Sequence, residues 1–362
     1  MRRRLGRAAG LVAVATAVGL AGARPAAADP PRPTDYRSRI TAVDPAPAGV
    51  DIDVVGGDAF LELTVDEGHE VTVEGYGGEP YLRVGPDGTV ERNVNSPATY
   101  LNDDRMGDVS IPASATPQAD PAWERVATGG TYAWHDHNIH WMSSATPPGR
   151  EPGDVVQEWE VRIDVDGVPT TVAGELTWVP GVSPLPWAAL GLVAAGAVVL
   201  VGRRRRAGGG GLTGPVAALV AAGMALVVGW AQVADAPAGA GVSPLLVVVP
   251  AVGLAGGVAG LALRRRAPAI AAAGTLAAVA AVVGWGLLRL AVLWKPVLPT
   301  TLPANADRAG TALALGAAAA AAAVVLGGGM ALLPAGGPAR NGDDDTTRDA
   351  KDADAIEDVD AG

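Results

Sequence analysis

Five long apolar runs fill the second half of this 362-residue chain, and nothing else in the sequence restricts its fold as much. They cover residues 184–202, 212–231, 245–263, 270–288 and 311–333, are built from Ala, Val, Leu and Gly, and carry almost no charge. Each is close to the ~20 residues that an α-helix needs to cross a bilayer. A water-filled setting would leave those surfaces without a partner. The runs therefore predict an all-α bundle of five transmembrane helices.

The arginines between the runs set an orientation. Arg203 to Arg206 follow the first run and Arg264 to Arg266 separate the third from the fourth, so the positive-inside rule puts both loops in the cytoplasm. Residues 29–183 then lie outside. The acidic segment 334–362 lies inside, where its run of aspartates reads as a disordered, solvated tail. The N-terminus agrees with this arrangement. Arg2, Arg3, Arg4 and Arg7 precede an apolar stretch, and Ala26, Ala27 and Ala28 supply small residues before Asp29, the pattern of a cleavable signal peptide over 1–28. An uncleaved signal anchor is the alternative.

Between residues 29 and 183 there are 27 acidic residues, nine arginines and no lysine. So acidic a surface disfavours nucleic acid and anionic lipid as direct partners and concentrates cations. The chain has no cysteine, so it has neither disulfides nor a thiolate site. Alternation identifies strands. Leu61, Leu63 and Val65 alternate with polar neighbours, Asp66 to Gly68 form a turn, and Val71 and Val73 alternate again, which predicts a hairpin. Trp159, Val161, Ile163 and Val165 lead through Asp166-Gly167 to Val172, Leu176 and Trp178, a second hairpin with a two-residue turn. The expected fold is an all-β sandwich, immunoglobulin- or cupredoxin-like, with one long loop over 96–123.

Three of the four histidines stand in "GTYAWHDHNIHWM", at His135, His137 and His140. On an extended strand His135 and His137 share a face. A turn at Asn138 would bring in His140, and a helical turn would pair His137 with His140. Met142 follows with a thioether. Imidazoles beside a thioether suit copper, particularly Cu(I), ahead of zinc, whereas calcium and magnesium require an oxygen cage. His69, beside Asp66 to Gly68, reads as a turn residue.

"GTYAWHDH", ending at His137, resembles the G-T-x-x-x-H-x-H strand of cupredoxin-like domains in multicopper oxidases. That resemblance implies copper ligation by His135 and His137. The chain departs from those enzymes in having no cysteine and too few histidines for a multicopper cluster, so it does not imply an oxidase. The layout more loosely resembles copper-resistance proteins of the bacterial envelope, and actinobacterial membrane proteins that join an exported β-sandwich to several spans. No serine elbow, H-E-x-x-H helix or phosphate loop is present, and no enzymatic activity is expected. The expected function is metal binding, by copper or less favourably zinc, for acquisition, storage or hand-off. The competing expectation is an envelope interaction protein in which the His/Trp cluster is structural.

The runs themselves lack interior charges. Arg289, Lys295, Asp307 and Arg308 fall at or beyond span ends, which disfavours a pump. Gly253, Gly256, Gly257 and Gly260 offer close helix approach, within the bundle or to a partner. The proline-rich loop 294–303 is expected to touch the β domain.

Overall fold

The computed structural model describes residues 29–206, 211–237 and 240–330. The expected signal peptide, the acidic tail and the last residues of the fifth apolar run lie outside them. Ten strands come first: β1 Tyr36–Asp44, β2 Val50–Val55, β3 Phe60–Val65, β4 Val71–Glu74, β5 Pro80–Val84, β6 Val90–Asn93, β7 Trp123–Ala127, β8 Thr131–Trp134, β9 Val155–Val165 and β10 Val168–Trp178. They form an antiparallel seven-stranded sheet, ordered β1-β10-β9-β4-β5-β6-β7, and a three-stranded sheet, β2-β3-β8. Leu61, Leu63, Val65, Tyr132 and Trp134 from the small sheet share a core with Val71, Val73, Leu82, Val84, Trp159, Ile163 and Val172 from the large one. The sandwich is as expected.

The β9–β10 hairpin forms in the expected register, with Val165 opposite Val168. Asp166 (φ 52°) and Gly167 (φ 81°) both sit in the left-handed region that a two-residue hairpin turn requires. Asp166 also accepts hydrogen bonds from the Glu70 amide (2.8 Å) and pairs with His69 Nδ1 (2.7 Å), so His69 is a turn residue. The other expected hairpin does not exist. β3 pairs with β2 and β8, while β4 pairs with β5 and β9, so the turn after Val65 carries the chain from one sheet to the other. Alternation marks a strand's buried face, and both sheets of a sandwich bury the same kind of face. The long segment 96–123 contains one helical turn, α1 Ala98–Leu101.

Five apolar helices follow: α2 Leu185–Arg206, α3 Thr213–Ala234, α4 Leu245–Leu263, α5 Pro268–Leu288 and α6 Ala304–Met330. All five are long and apolar enough to cross a membrane, and the chain is an integral membrane protein. Gly256 and Gly260 pack on α5: a Cβ there would lie 2.8 Å from the Gly274 carbonyl and 2.5 Å from Thr275 Oγ1. The small-residue face thus serves contacts inside the bundle. α6 begins seven residues before the expected start, and this corrects the placement of its charges. Asp307 and Arg308 are inside the helix and buried, as is Arg289 at the end of α5. Arg289 donates to Asp307 Oδ1 (2.6 Å) and to Gln232 Oε1, and Arg308 donates to the carbonyls of Val292, Lys295 and Pro296. A charge this close to a span end tolerates burial only because a partner meets it.

The loop after α5 docks on the β domain, as expected. Thr34 and Val297 exchange backbone hydrogen bonds (3.0 and 3.2 Å), the Val182 amide donates to the Trp294 carbonyl (3.1 Å), and Lys295 pairs with Asp35. Gln232 Nε2 on α3 donates to the Pro31 carbonyl (3.2 Å). Ala59, Phe60 and Ala133 of the β domain form an apolar contact with Ala240, in the loop between α3 and α4.

Candidate functional site

Strand β8 ends at Trp134, so His135 and His137 do not lie along one extended strand. Asp136 turns the chain instead. Its buried carboxylate accepts the Asn138 amide at Oδ1 (3.0 Å) and Trp134 Nε1 at Oδ2 (3.1 Å), and the Ile139 amide donates to its carbonyl (3.1 Å). This is an Asx turn, in which a short acceptor side chain replaces the next backbone partner. Gln157 Nε2 fastens it to β9 through the Asn138 carbonyl (2.6 Å). The turn brings the His137 and His140 rings to 5.3 Å between centroids, and His135 to 6.4 Å from His140. All three histidines are assembled. Met142 lies at the surface, 40% exposed.

Each ring is held by a main-chain carbonyl. His140 is fully buried and its Nε2 donates to the Arg105 carbonyl (2.6 Å). His137 Nε2 donates to the Asp104 carbonyl (3.1 Å), while its ring stacks on Tyr76 at 5.6 Å. Carbonyls only accept, so both rings carry a proton on Nε2, and His140, kept neutral by burial, has its lone pair on Nδ1. At His140 that Nδ1 is buried without a hydrogen-bond partner. His135 stacks on Phe60 at 4.2 Å and faces carbonyls on both sides, Ala59 from Nδ1 (2.5 Å) and Asp29 from Nε2 (3.1 Å). Gly107 (φ 69°) allows its loop to lie against His137, since a Cβ would come within 2.9 Å of the ring.

Burial controls the charges here. Removal from water pushes His140 down to about 3, reinforced by the Arg105 guanidinium, and lowers His135 for the same first reason. Both rings are neutral, lone-pair-bearing bases at pH 7. Asp136 is raised by burial against its hydrogen bonds. Beside the cluster, fully buried Asp58 is pushed up to about 6 by desolvation, although Arg105 Nη2 donates to its Oδ2 at 2.6 Å. Asp58 Oδ1 has no partner.

Among the described residues no group of three or more His, Cys, Asp or Glu side chains is arranged to hold a metal ion. The geometry supplies a pair of rings with parallel chemistry, His137 and His140, and a third whose second nitrogen faces Asp29. Arg105, Asp104, Ala59 and Tyr76 were not foreseen. Three of them act through main-chain atoms, and only the "NDDRMG" context of Arg105 and Gly107 hints at a shaped loop. The chain matches no protein-family model, no curated protein and no solved structure.

Proposed function

We propose that this membrane protein binds a copper ion on the histidines of its β domain. The observation that carries the reading is His140: one nitrogen is committed to the Arg105 carbonyl, and the other is a buried lone pair with no partner. A donated second nitrogen is how proteins orient metal-ligating imidazoles. His137, partly buried, likewise gives its Nε2 to a main-chain carbonyl, that of Asp104. An ion about 2.0–2.1 Å from an imidazole nitrogen lies roughly 3.2 Å from the ring centroid, so two rings sharing it stand about 5–6.4 Å apart. The separations of 5.3 and 6.4 Å lie in that range.

The donor set favours copper over zinc. Zinc takes four ligands in structural sites and three with water in catalytic ones, whereas this cluster offers imidazoles with no thiolate, and the carboxylate of Asp136 within it already holds Trp134 and Asn138. Met142 at the surface adds a soft thioether suited to Cu(I) entry or exit. With the arginine clusters inside, the β domain faces the exterior and serves acquisition, storage or hand-off. One observation favours the competing reading of a structural latch in an envelope interaction protein: His135 has a carbonyl on both nitrogens.

Full-length protein in detergent, titrated with Cu(I) against a chromogenic chelator, tests the reading. We expect one equivalent bound, with affinity reduced at least a hundredfold by His137→Ala and by His140→Gln, whose amide can still donate to Arg105. Unsaturable binding, or binding that survives both changes, would leave the latch.

A further inference from the structure

The C-terminal end of α3 reaches the β domain through Gln232, and α5 reaches it through the loop that follows. Both helices therefore start at the opposite end of the bundle, where Arg203 to Arg205 and Arg264 to Arg266 stand between the spans. The acidic residues between 184 and 330 are Asp235 and Asp307, and both belong to the β-domain end. Among the described residues no carboxylate pairs with these arginines.

Two recesses open at the arginine end. One, of about 360 Å³, lies between the start of α3, the α4–α5 turn and the C-terminal part of α6, and is lined by Arg264, Arg265, Pro268, Leu212 and Val325. The other, of about 400 Å³, is an apolar groove between α2 and α3 lined by Val198, Val201, Val220 and Arg205. Leu212 belongs to both walls, so the recesses adjoin. On its other side α2 leans on α6 at Gly191 and Gly316, too close for a Cβ on the latter.

Helices of this length end at the headgroup layer of a bilayer. A guanidinium there matches phosphate, to which it can donate two parallel hydrogen bonds, and an apolar groove beside it matches an acyl chain. Arg264 Nη1 donates to the Leu261 carbonyl (2.6 Å), which fixes its head group at the recess. A zwitterionic lipid would bring its own cation against the arginines with no carboxylate to receive it.

We propose that one anionic glycerophospholipid binds across the two recesses, with its phosphate at Arg264 and Arg265 and an acyl chain running past Leu212 into the groove. The chain fills the gap between α2 and α3 and seats α2 in the bundle. The site is independent of the copper reading.

Full-length protein in detergent at physiological salt, mixed with palmitoyl-oleoyl phosphatidylglycerol or with the phosphatidylcholine of the same chains and read by native mass spectrometry, tests this. Each arginine adds about fivefold to the affinity for an anionic lipid, so phosphatidylglycerol is expected to bind about twenty-fivefold more tightly. Arg264→Gln with Arg265→Gln is expected to erase that preference, whereas Arg203→Gln with Arg204→Gln, which removes as much charge outside the recesses, should keep it. Val201→Trp, which fills the groove, should weaken binding severalfold, and excess inorganic phosphate should not displace the lipid. Equal binding of the two lipids, or equal loss in the two double variants, overturns the proposal. Displacement by inorganic phosphate with Val201→Trp unchanged also overturns it and leaves a site for free anions. Should Arg264→Gln with Arg265→Gln misfold, the lipid preference and phosphate competition of the unaltered protein decide.

Discussion

Two of the buried polar clusters solve desolvation in opposite ways. At the end of the bundle Arg289 and Asp307, 2% and 0% exposed, neutralise each other at 2.6 Å. In the β domain His135 and His140 are kept uncharged by burial and lean on main-chain carbonyls. The ion pair leaves Arg289 Nε and Asp307 Oδ2 without a hydrogen-bond partner, but its opposite charges cancel each other, so its value is structural. A neutral imidazole held by one nitrogen still has a base on the other, and that asymmetry makes the β-domain cluster the better candidate for a ligand.

The contrast breaks first at the ion pair. Asp307→Ala strands a buried guanidinium and is expected to cost about 3–5 kcal/mol, whereas the double replacement Arg289→Met with Asp307→Leu recovers most of it; unfolding in mixed micelles reads both. If the single and double variants lose equally, the pair is doing more than neutralising itself. Next comes Arg105→Met, which leaves Asp58 without its guanidinium at an expected cost of about 2–3 kcal/mol at pH 8. Asp58 is raised to about 6, so protonation favours the folded state, and the loss should shrink as pH falls through 6. A melting-temperature deficit that does not depend on pH would contradict this.

A pH series on metal-free protein sharpens the other half of the comparison. His140 is depressed to about 3, so its contribution is full above the unfolded value near 6.5 and is lost as pH falls below that, by about 2 kcal/mol between pH 7 and 5. Asp58 works in the opposite sense, so the measurement is the difference between the unaltered chain and His140→Gln, which should have the flatter acid limb. The smallest effect is expected from Gly107→Ala. A left-handed alanine pressed on the His137 ring should cost about 1–2 kcal/mol and weaken Cu(I) binding severalfold in the same competition assay.

Legibility followed the chemistry of each region. The apolar runs and the β9–β10 hairpin were readable because span length and the Asp166-Gly167 turn are local properties. The β3–β4 connection was misread, since Leu63 and Val73 bury similar faces in different sheets. The histidines stood out by number and a turn at Asn138 was readable, but that the buried Asp136 carboxylate makes this turn has no signal in the spacing. Arg289 and Asp307 were read as lying at or beyond the span ends, because pairing across a loop and a helix end leaves no sequence spacing to detect. Their burial decides the matter.

The carbonyls of Ala59, Asp104 and Arg105 reach the histidines without using the side chains of those residues. A mutational scan would therefore outline only part of this centre. Substitutions at 59 and 104 would register through packing or loop shape, and the donors' true partners would go unmarked. The sensitive positions should be the imidazoles themselves, Gly107, and the arginine whose head group fixes where its own carbonyl stands. Selection on such a site acts on the course of the chain, and side-chain identity beside the rings is correspondingly free to drift.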